Sequence, residues 1–379
     1  MSSILRPVAT PPRAVPAASS SSAAPVSTAR KPGVVRVLIV DDSALVRRIL
    51  SEALSKHPDI EVVGTATDPY VARERIVQLR PDVVTLDIEM PRMDGLSFLS
   101  KLMRHFPLPV VVVSSLTQAN SETALRALAL GAVEVIAKPG SSLATTDVGE
   151  ELARAVRTAS HARVVKRNEE PANAGGVIAR PAIATLDATH KIIALGASTG
   201  GTQALEQVLR RFPADAPGTV IVQHMPEHFT TSFAKRLDGV CAMRVREAVD
   251  GEYIVPGLAL LAPGGKHLVV QASGARWVVR VKDGPKVHHQ RPAVDVLFQS
   301  VARCAGRNAV AALLTGMGAD GAKGMLAMRE AGAHTIAQDE ETCVVYGMPK
   351  EAVKLDAAVA VLPLDRIADA LISALKPAR

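Results

Sequence analysis

From Val34 onward the chain alternates short, mainly apolar runs with longer stretches whose apolar positions recur at helical spacing. The runs Val35 to Val40, Val83 to Leu86, Val110 to Val113 and Val133 to Ile136 are rich in Val and Ile and too short to be helices. Such runs read as strands of a parallel sheet whose two faces are covered by helices. The same rhythm resumes with Lys191 to Leu195, Thr219 to Val222, Leu258 to Leu261, His267 to Gln271, Trp277 to Val281 and Val310 to Leu314, with helices over 202–211 and 319–331. The pattern predicts two α/β halves, each a doubly wound parallel sheet, the second carrying a β-hairpin from about 258 to 282. Between the halves, "KRNEEPANAGGVIARP" has no periodicity able to bury a face and reads as a linker. The expected divisions are a tail over 1–33, a first domain over 34–155, a linker over 156–187 and a second domain over 188–379.

Composition narrows the setting. A chain of 379 residues exceeds what one hydrophobic core usually spans, and 48% hydrophobic with 21% charged residues is a globular balance. Membrane insertion is not expected, because no run of about eighteen apolar residues is present. Cys241, Cys304 and Cys343 are odd in number and far apart, which fits a reduced, cytoplasmic compartment better than a disulfide framework or a metal motif. The Ala/Pro/Ser-rich tail carries Arg6, Arg13, Arg30 and Lys31, contains no acid and lacks the apolar core of a secretory signal, so it reads as disordered. A transit peptide shares that composition, but the remaining sequence has a bacterial look. The net charge of +7 lies mostly in the tail and in residues 161–180. The folded halves are near neutral, which argues against a broad nucleic-acid face.

In open parallel sheets, ligands bind at the carboxyl ends of the strands, so polar residues that end apolar runs carry the chemistry. The first run ends in Asp41 and Asp42, the one at Val83 in Asp87 followed by Ile88 and Glu89, the next in Ser114 and Ser115, and the last in Lys138 and Pro139. Each residue alone has an ordinary role as a helix cap or turn residue. Together and in this order they describe a phosphoryl-acceptor site. Clustered carboxylates call for a hard cation such as Mg2+. Asp87 would be the nucleophile towards phosphorus, with Lys138 and the Ser114 hydroxyl contacting the phosphoryl group. Residues 35 to about 153 resemble a response-regulator receiver domain, a flavodoxin-like fold, over essentially its full length. The resemblance implies that Asp87 accepts phosphate from a histidine kinase of the CheA type. It also implies that Asp42, Asp87 and the backbone carbonyl of Glu89 hold the metal with Asp41 nearby, and that Ser114 is the switch hydroxyl. One position departs from the usual pattern: Val135 stands where receivers often carry an aromatic switch residue.

The second half opens with Lys191 to Leu195 running into Gly196, Ala197, Ser198, Thr199, Gly200 and Gly201. A serine at a glycine-flanked strand-to-helix turn projects its hydroxyl beside backbone N–H groups that can stabilise an oxyanion. The spacing also matches a nucleophile elbow. Alone it is weak, since such turns also bind phosphate or simply turn the chain. The run Thr219 to Val222 ends in Gln223 and His224, which places an imidazole at the neighbouring strand tip as a general base. His228, expected at a helix start, His267, expected in a turn, His288 and His289 compete for that role. After Val310 to Leu314, the segment Thr315 to Gly321 brings in Asp320, either as a helix cap or as the acid that orients the imidazole.

Residues 188 to about 376 resemble the catalytic domain of the CheB methylesterase family through "IIALGASTGG", "VIVQHMPEHFT", "LLAPGGKH", "RPAVDVLF", "LLTGMGADGAKG" and "VVYGMPKEA". The resemblance implies a Ser198, His224, Asp320 triad, with Thr199 and the Met317 backbone supporting the histidine and the oxyanion. It further implies hydrolysis of glutamate γ-methyl esters on chemotaxis receptors, and glutamine deamidation, under control of receiver phosphorylation and without a cofactor for the ester step. Two alternatives compete. A DNA-binding output domain would be short, helical and basic. A nonenzymatic module would hold an anion at "GASTGG", and hydrolysis of another ester also fits a serine at that turn.

Overall fold

The computed structural model describes residues 31–90, 94–115, 117–138, 145–164 and 190–375. The expected tail and most of the expected linker, with Pro139, lie outside the described residues. The first domain alternates strictly: β1 (Val35–Val40), α1 (Ala44–Leu54), β2 (Ile60–Ala66), α2 (Pro69–Leu79), β3 (Val83–Asp87), α3 (Gly95–His105), β4 (Val110–Ser114), α4 (Gln118–Leu130), β5 (Glu134–Ala137) and α5 (Thr145–Ser160). Its sheet has the order β2-β1-β3-β4-β5, all parallel. β3 and β4 are buried from end to end, as their unbroken Val runs require. Local chemistry starts the helices: Asp68 accepts from the Tyr70 and Val71 N–H groups, with Pro69 opening α2, and Asp94 caps α3 through Leu96 N–H. α5 continues past residue 155 to Ser160.

The second domain runs β6 (Ile192–Ala197), α6 (Gly201–Leu209), β7 (Gly218–Gln223), α7 (Phe229–Asp238), β8 (Arg244–Glu247), β9 (Leu258–Leu261), β10 (His267–Ser273) and β11 (Arg276–Lys282). It continues with α8 (Val294–Ala305), β12 (Ala309–Leu313), α9 (Ala322–Glu330), β13 (His334–Gln338), α10 (Met348–Lys354), β14 (Ala360–Leu362) and α11 (Leu364–Ala374). Seven strands form one parallel sheet in the order β14-β13-β12-β6-β7-β9-β8. The order reverses at β6, which has β12 on one side and β7 on the other. Such a switch point opens a crevice at the carboxyl end of the sheet.

The expected hairpin over 258–282 is corrected in its first half. β9 belongs to the parallel sheet beside β7 and β8, and only β10 and β11 form an antiparallel hairpin. The four residues of β9 are all buried, whereas β10 emerges into solvent at Gln271 to Ser273. His267, expected in a turn, is the buried first residue of β10.

Candidate active site

At the carboxyl rim of the first sheet, Asp41 and Asp87 are buried and Asp42 is exposed. One carboxylate oxygen from each of the three lies within 4.8 Å of the others. Lys138 Nζ sits 2.7 Å from Asp87 Oδ2 and 3.7 Å from Asp41 Oδ2. Burial pushes both buried carboxyls above the usual range, opposed by Lys138. Burial would lower the Lys138 ammonium, but its bond to Asp87 prevails and raises it. The buried Asp41 Oδ2 accepts no hydrogen bond, and hard oxygen donors so placed fit a magnesium ion. The Glu89 carboxylate is near enough for its charge to raise the Asp87 carboxyl further. It accepts from Ser115 Oγ at 3.1 Å and from Ser114 Oγ at 3.4 Å, so the expected switch hydroxyl is already bonded to a carboxylate.

In the second domain, register decides the geometry. Gly196 lies between Leu313 of β12 and Val222 of β7, so the segments starting at Ser198, His224 and Leu314 leave the sheet side by side. Ser198 N–H donates to Thr315 O at 3.0 Å, and His224 N–H to Ala197 O at 3.1 Å. Gln223 Nε2 donates to the carbonyls of both Ser198 and His224, at 2.8 and 3.0 Å. The turn must be glycine: Gly200 has φ +78°, and a Cβ there would lie 2.6 Å from Val344 Cβ. Gly316 is equally confined, since its Cβ would meet Ser198 Cβ at 2.6 Å.

His224 Nε2 and Asp320 Oδ2 are 2.7 Å apart, and both side chains are almost wholly buried. Asp320 also accepts from Val294 N–H at 2.7 Å and from Asp295 N–H at 2.9 Å, the first two amides of α8. Burial alone would raise the Asp320 carboxyl. The bond and charge of His224, with those two amides, hold it below the usual range. Since Nε2 faces a carboxylate it carries the proton, and Nδ1 is the acceptor nitrogen. Nδ1 is buried and has no hydrogen-bond partner.

The other expected positions are resolved as follows. Met317 is exposed on the loop after β12. The Thr199 hydroxyl donates to Glu134 Oε2 of the first domain at 3.1 Å, and the Thr199 carbonyl accepts from Thr315 Oγ1 at 3.0 Å. His228 opens α7 at φ 71°, and His267 Nε2 meets Pro285 O at 2.9 Å. His289 lines the same cleft as Ser198 and His224, a space of about 790 Å³. First-domain residues Glu134, Glu151 and Arg154 line it too. The sequence reading missed Glu134, whose signal was an acid heading an otherwise apolar strand. It also missed Asp295, which reads as an unremarkable acid in the first turn of a helix.

Residues 193–371 match the CheB methylesterase family, and residues 37–146 match the response regulator receiver domain. A protein-glutamate methylesterase/protein-glutamine glutaminase of Syntrophus aciditrophicus is 56% identical over 339 residues, 89% of this chain and 98% of that protein. One from Pseudomonas aeruginosa is 55% identical over 341 residues, 89% of this chain and 96% of that protein. The crystal structure of the Thermotoga maritima CheB methylesterase catalytic domain, 40% identical, aligns with 48% of this chain and 97% of that one at a TM-score of 0.47. With two family matches in tandem and full-length relatives above half identity, this chain belongs to the receiver-bearing CheB methylesterase family, the protein-glutamate methylesterases/protein-glutamine glutaminases.

Proposed function

We propose that this chain is a phosphorylation-activated serine hydrolase that demethylates glutamate γ-methyl esters, and deamidates glutamines, on chemotaxis receptors. The observation that carries the proposal is the buried His224–Asp320 pair at the switch point beside Ser198, with Nδ1 left as the acceptor nitrogen. Ser198 Oγ, giving its proton to His224 Nδ1, attacks the ester carbonyl. Asp320 stabilises the imidazolium through Nε2. Backbone N–H groups near Met317 and at the start of α6, with Thr199, receive the oxyanion. The imidazolium then protonates the departing methoxide, methanol leaves, and water attacks the acyl-serine with its proton passing to Nδ1. The products are glutamate and free Ser198. A glutamine amide follows the same course and releases ammonia.

In the first domain, Asp87 is the phosphate acceptor, Lys138 and Ser114 contact the phosphoryl oxygens, and a CheA-type histidine kinase is the donor. Asp41, Asp42 and Asp87, with the Glu89 carbonyl, would hold a magnesium ion, which neutralises phosphoryl charge when bound. Control follows from the shared cleft. Besides the Thr199–Glu134 bond, Gln203 Nε2 donates to Leu128 O at 2.6 Å, and Arg163 N–H to Val344 O at 2.8 Å. An unphosphorylated first domain held there bars a receptor helix from Ser198, and phosphate at Asp87 weakens that contact. The test is methanol release from methylated receptor membranes, with and without a small phosphodonor and Mg2+. Ser198→Ala should remove turnover by more than about 10⁴-fold while leaving the fold intact. Activity that survives in this variant would refute the assignment of the nucleophile.

A further inference from the structure

The two acids that begin neighbouring helices are exchanged between them. Asp320, just before α9, accepts from the first two amides of α8, Val294 N–H at 2.7 Å and Asp295 N–H at 2.9 Å. Asp295, on the first turn of α8, accepts from Gly324 N–H of α9 at 2.6 Å. Neither helix has a side-chain cap of its own, since Ala293 and Gly321 stand at the cap positions without such a bond. Each helix start is satisfied by the other's carboxylate. The exchange requires close approach. A Cβ on Gly324 would lie 2.7 Å from Phe298 Cβ, and one on Gly321 would lie 2.7 Å from Val294 Cγ1.

Each carboxylate also meets a histidine through Oδ2, the oxygen that in Asp320 accepts from Val294 N–H as well. Asp320 Oδ2 takes His224 Nε2 at 2.7 Å, and Asp295 Oδ2 takes His288 Nε2 at 2.9 Å. His288 sits in a two-residue turn closed by Val287 and Gln290, where His288 and His289 have φ 51° and 61°. That backbone conformation is strained for residues with a Cβ. The bond to Asp295 therefore anchors the turn that carries His289 and Gln290 into the cleft.

We infer that Asp295 is a positioning residue for the hydrolytic site: by capping α9 and anchoring α8 it fixes where Asp320 stands, and through Asp320 how His224 is oriented. Among the described residues, His224 pairs with Asp320 and Asp295 with His288, so the influence of Asp295 on His224 passes through the reciprocal caps. The inference rests on the hydrolase function proposed above. It separates from a purely electrostatic role, in which the Asp295 charge would stabilise the imidazolium directly. It also separates from a merely structural role, in which loss of Asp295 would only lower the amount of folded protein.

Asp295→Asn removes the charge but keeps an oxygen for Gly324 N–H, whereas Asp295→Ala removes both. Full-length protein would be assayed by methanol release from methylated receptor membranes, with folded sites counted by fluorophosphonate labelling of Ser198. The NMR signal of the His224 Nε2 proton, which reports its bond to Asp320, would be followed in parallel. Asp295→Ala should lower kcat per labelled site on the order of tenfold to a hundredfold with KM within about twofold. Its His224 Nε2 proton signal should shift or broaden, because a misplaced Asp320 no longer holds that proton. Asp295→Asn should return both readouts close to the parent. An asparagine variant as impaired as the alanine variant would overturn positioning in favour of charge. An unchanged kcat per labelled site with an unmoved His224 Nε2 proton signal would reduce Asp295 to scaffolding. Should the alanine variant fail to fold, the asparagine variant and Gly324→Ser, which crowds the same cap, decide by the same two readouts. A parent that releases no methanol would count against the hydrolase function itself, while the His224 Nε2 proton signal would still judge Asp295.

Discussion

Asp320 carries three bonds with two oxygens, and each has a distinct consequence. The bond and charge of His224, helped by the α8 amides, keep it ionised, and the same bond orients the His224 ring. An asparagine at 320 could still accept from one α8 amide, but its NH2 group would face both Nε2 and Val294 N–H in one orientation and Asp295 N–H in the other. Asp320→Asn should therefore lower kcat by about 10³- to 10⁴-fold, because the wrong tautomer is favoured. The acid limb also follows from the depressed Asp320 carboxyl. A group whose value is lower in the folded state stabilises above its unfolded value, and that stability is lost as pH falls through the folded one. The pair should thus hold throughout the neutral range and weaken only below the ordinary aspartate range, near pH 4. Thermal melts of the parent and Asp320→Asn, followed from neutral to acid pH, would check this. Their difference should shrink towards the acid end. A difference independent of pH would contradict it.

At the level of elements, glycines mark where helices and strands approach too closely for any side chain. Gly324→Ala places a methyl group 2.7 Å from Phe298 Cβ and 3.1 Å from the Asp295 backbone, both fixed in the interior. Overpacking of this kind costs about 1–3 kcal/mol. For a domain of this size that corresponds to a fall in Tm of roughly 2–4 °C per kcal/mol, readable by calorimetry. An unchanged Tm would show that α8 and α9 can part freely. The strands of both sheets were legible in the sequence because parallel strands buried on two faces must be short and apolar, as Val83–Asp87 and Val110–Ser114 are. Serine and histidine positions were legible for a related reason, as polar residues ending such runs at neighbouring strand tips. The hairpin was misjudged at its start because Leu258–Leu261 and His267–Gln271 read alike as short apolar runs. All four residues of the first are buried within the parallel sheet, whereas the second strand leaves the interior at Gln271. The exchange of caps between α8 and α9 was not legible. It depends on the approach of residues 25 to 29 positions apart, which no local spacing encodes.

Across the whole molecule, the two domains meet through a carboxyl group that pays for its burial. Glu134 heads β5 and accepts from Thr199 beside Ser198. Burial drives its carboxyl above the usual range, and Arg154 and the Thr199 hydroxyl only partly offset this, with Glu151 opposing them. When the first domain leaves the cleft, Glu134 returns to water and to an ordinary value near 4.3. Its value is thus raised in the docked state. Docking is then favoured fully below the ordinary value, and that contribution is lost as pH rises through the raised one. At neutral pH, Glu134 holds the domains together less firmly than a neutral group of the same shape. Glu134→Gln keeps an oxygen for Thr199 and removes the cost of burying a charge. The unphosphorylated variant should therefore release methanol severalfold more slowly than the parent at neutral pH, and the two rates should converge as the pH is lowered. With phosphodonor the gap should narrow, as the proposed release of the cleft by phosphate at Asp87 requires in both proteins. Equal basal rates for the variant and the parent at every pH would mean that Glu134 does not regulate access to Ser198, and that the Gln203 and Arg163 contacts carry the restraint instead.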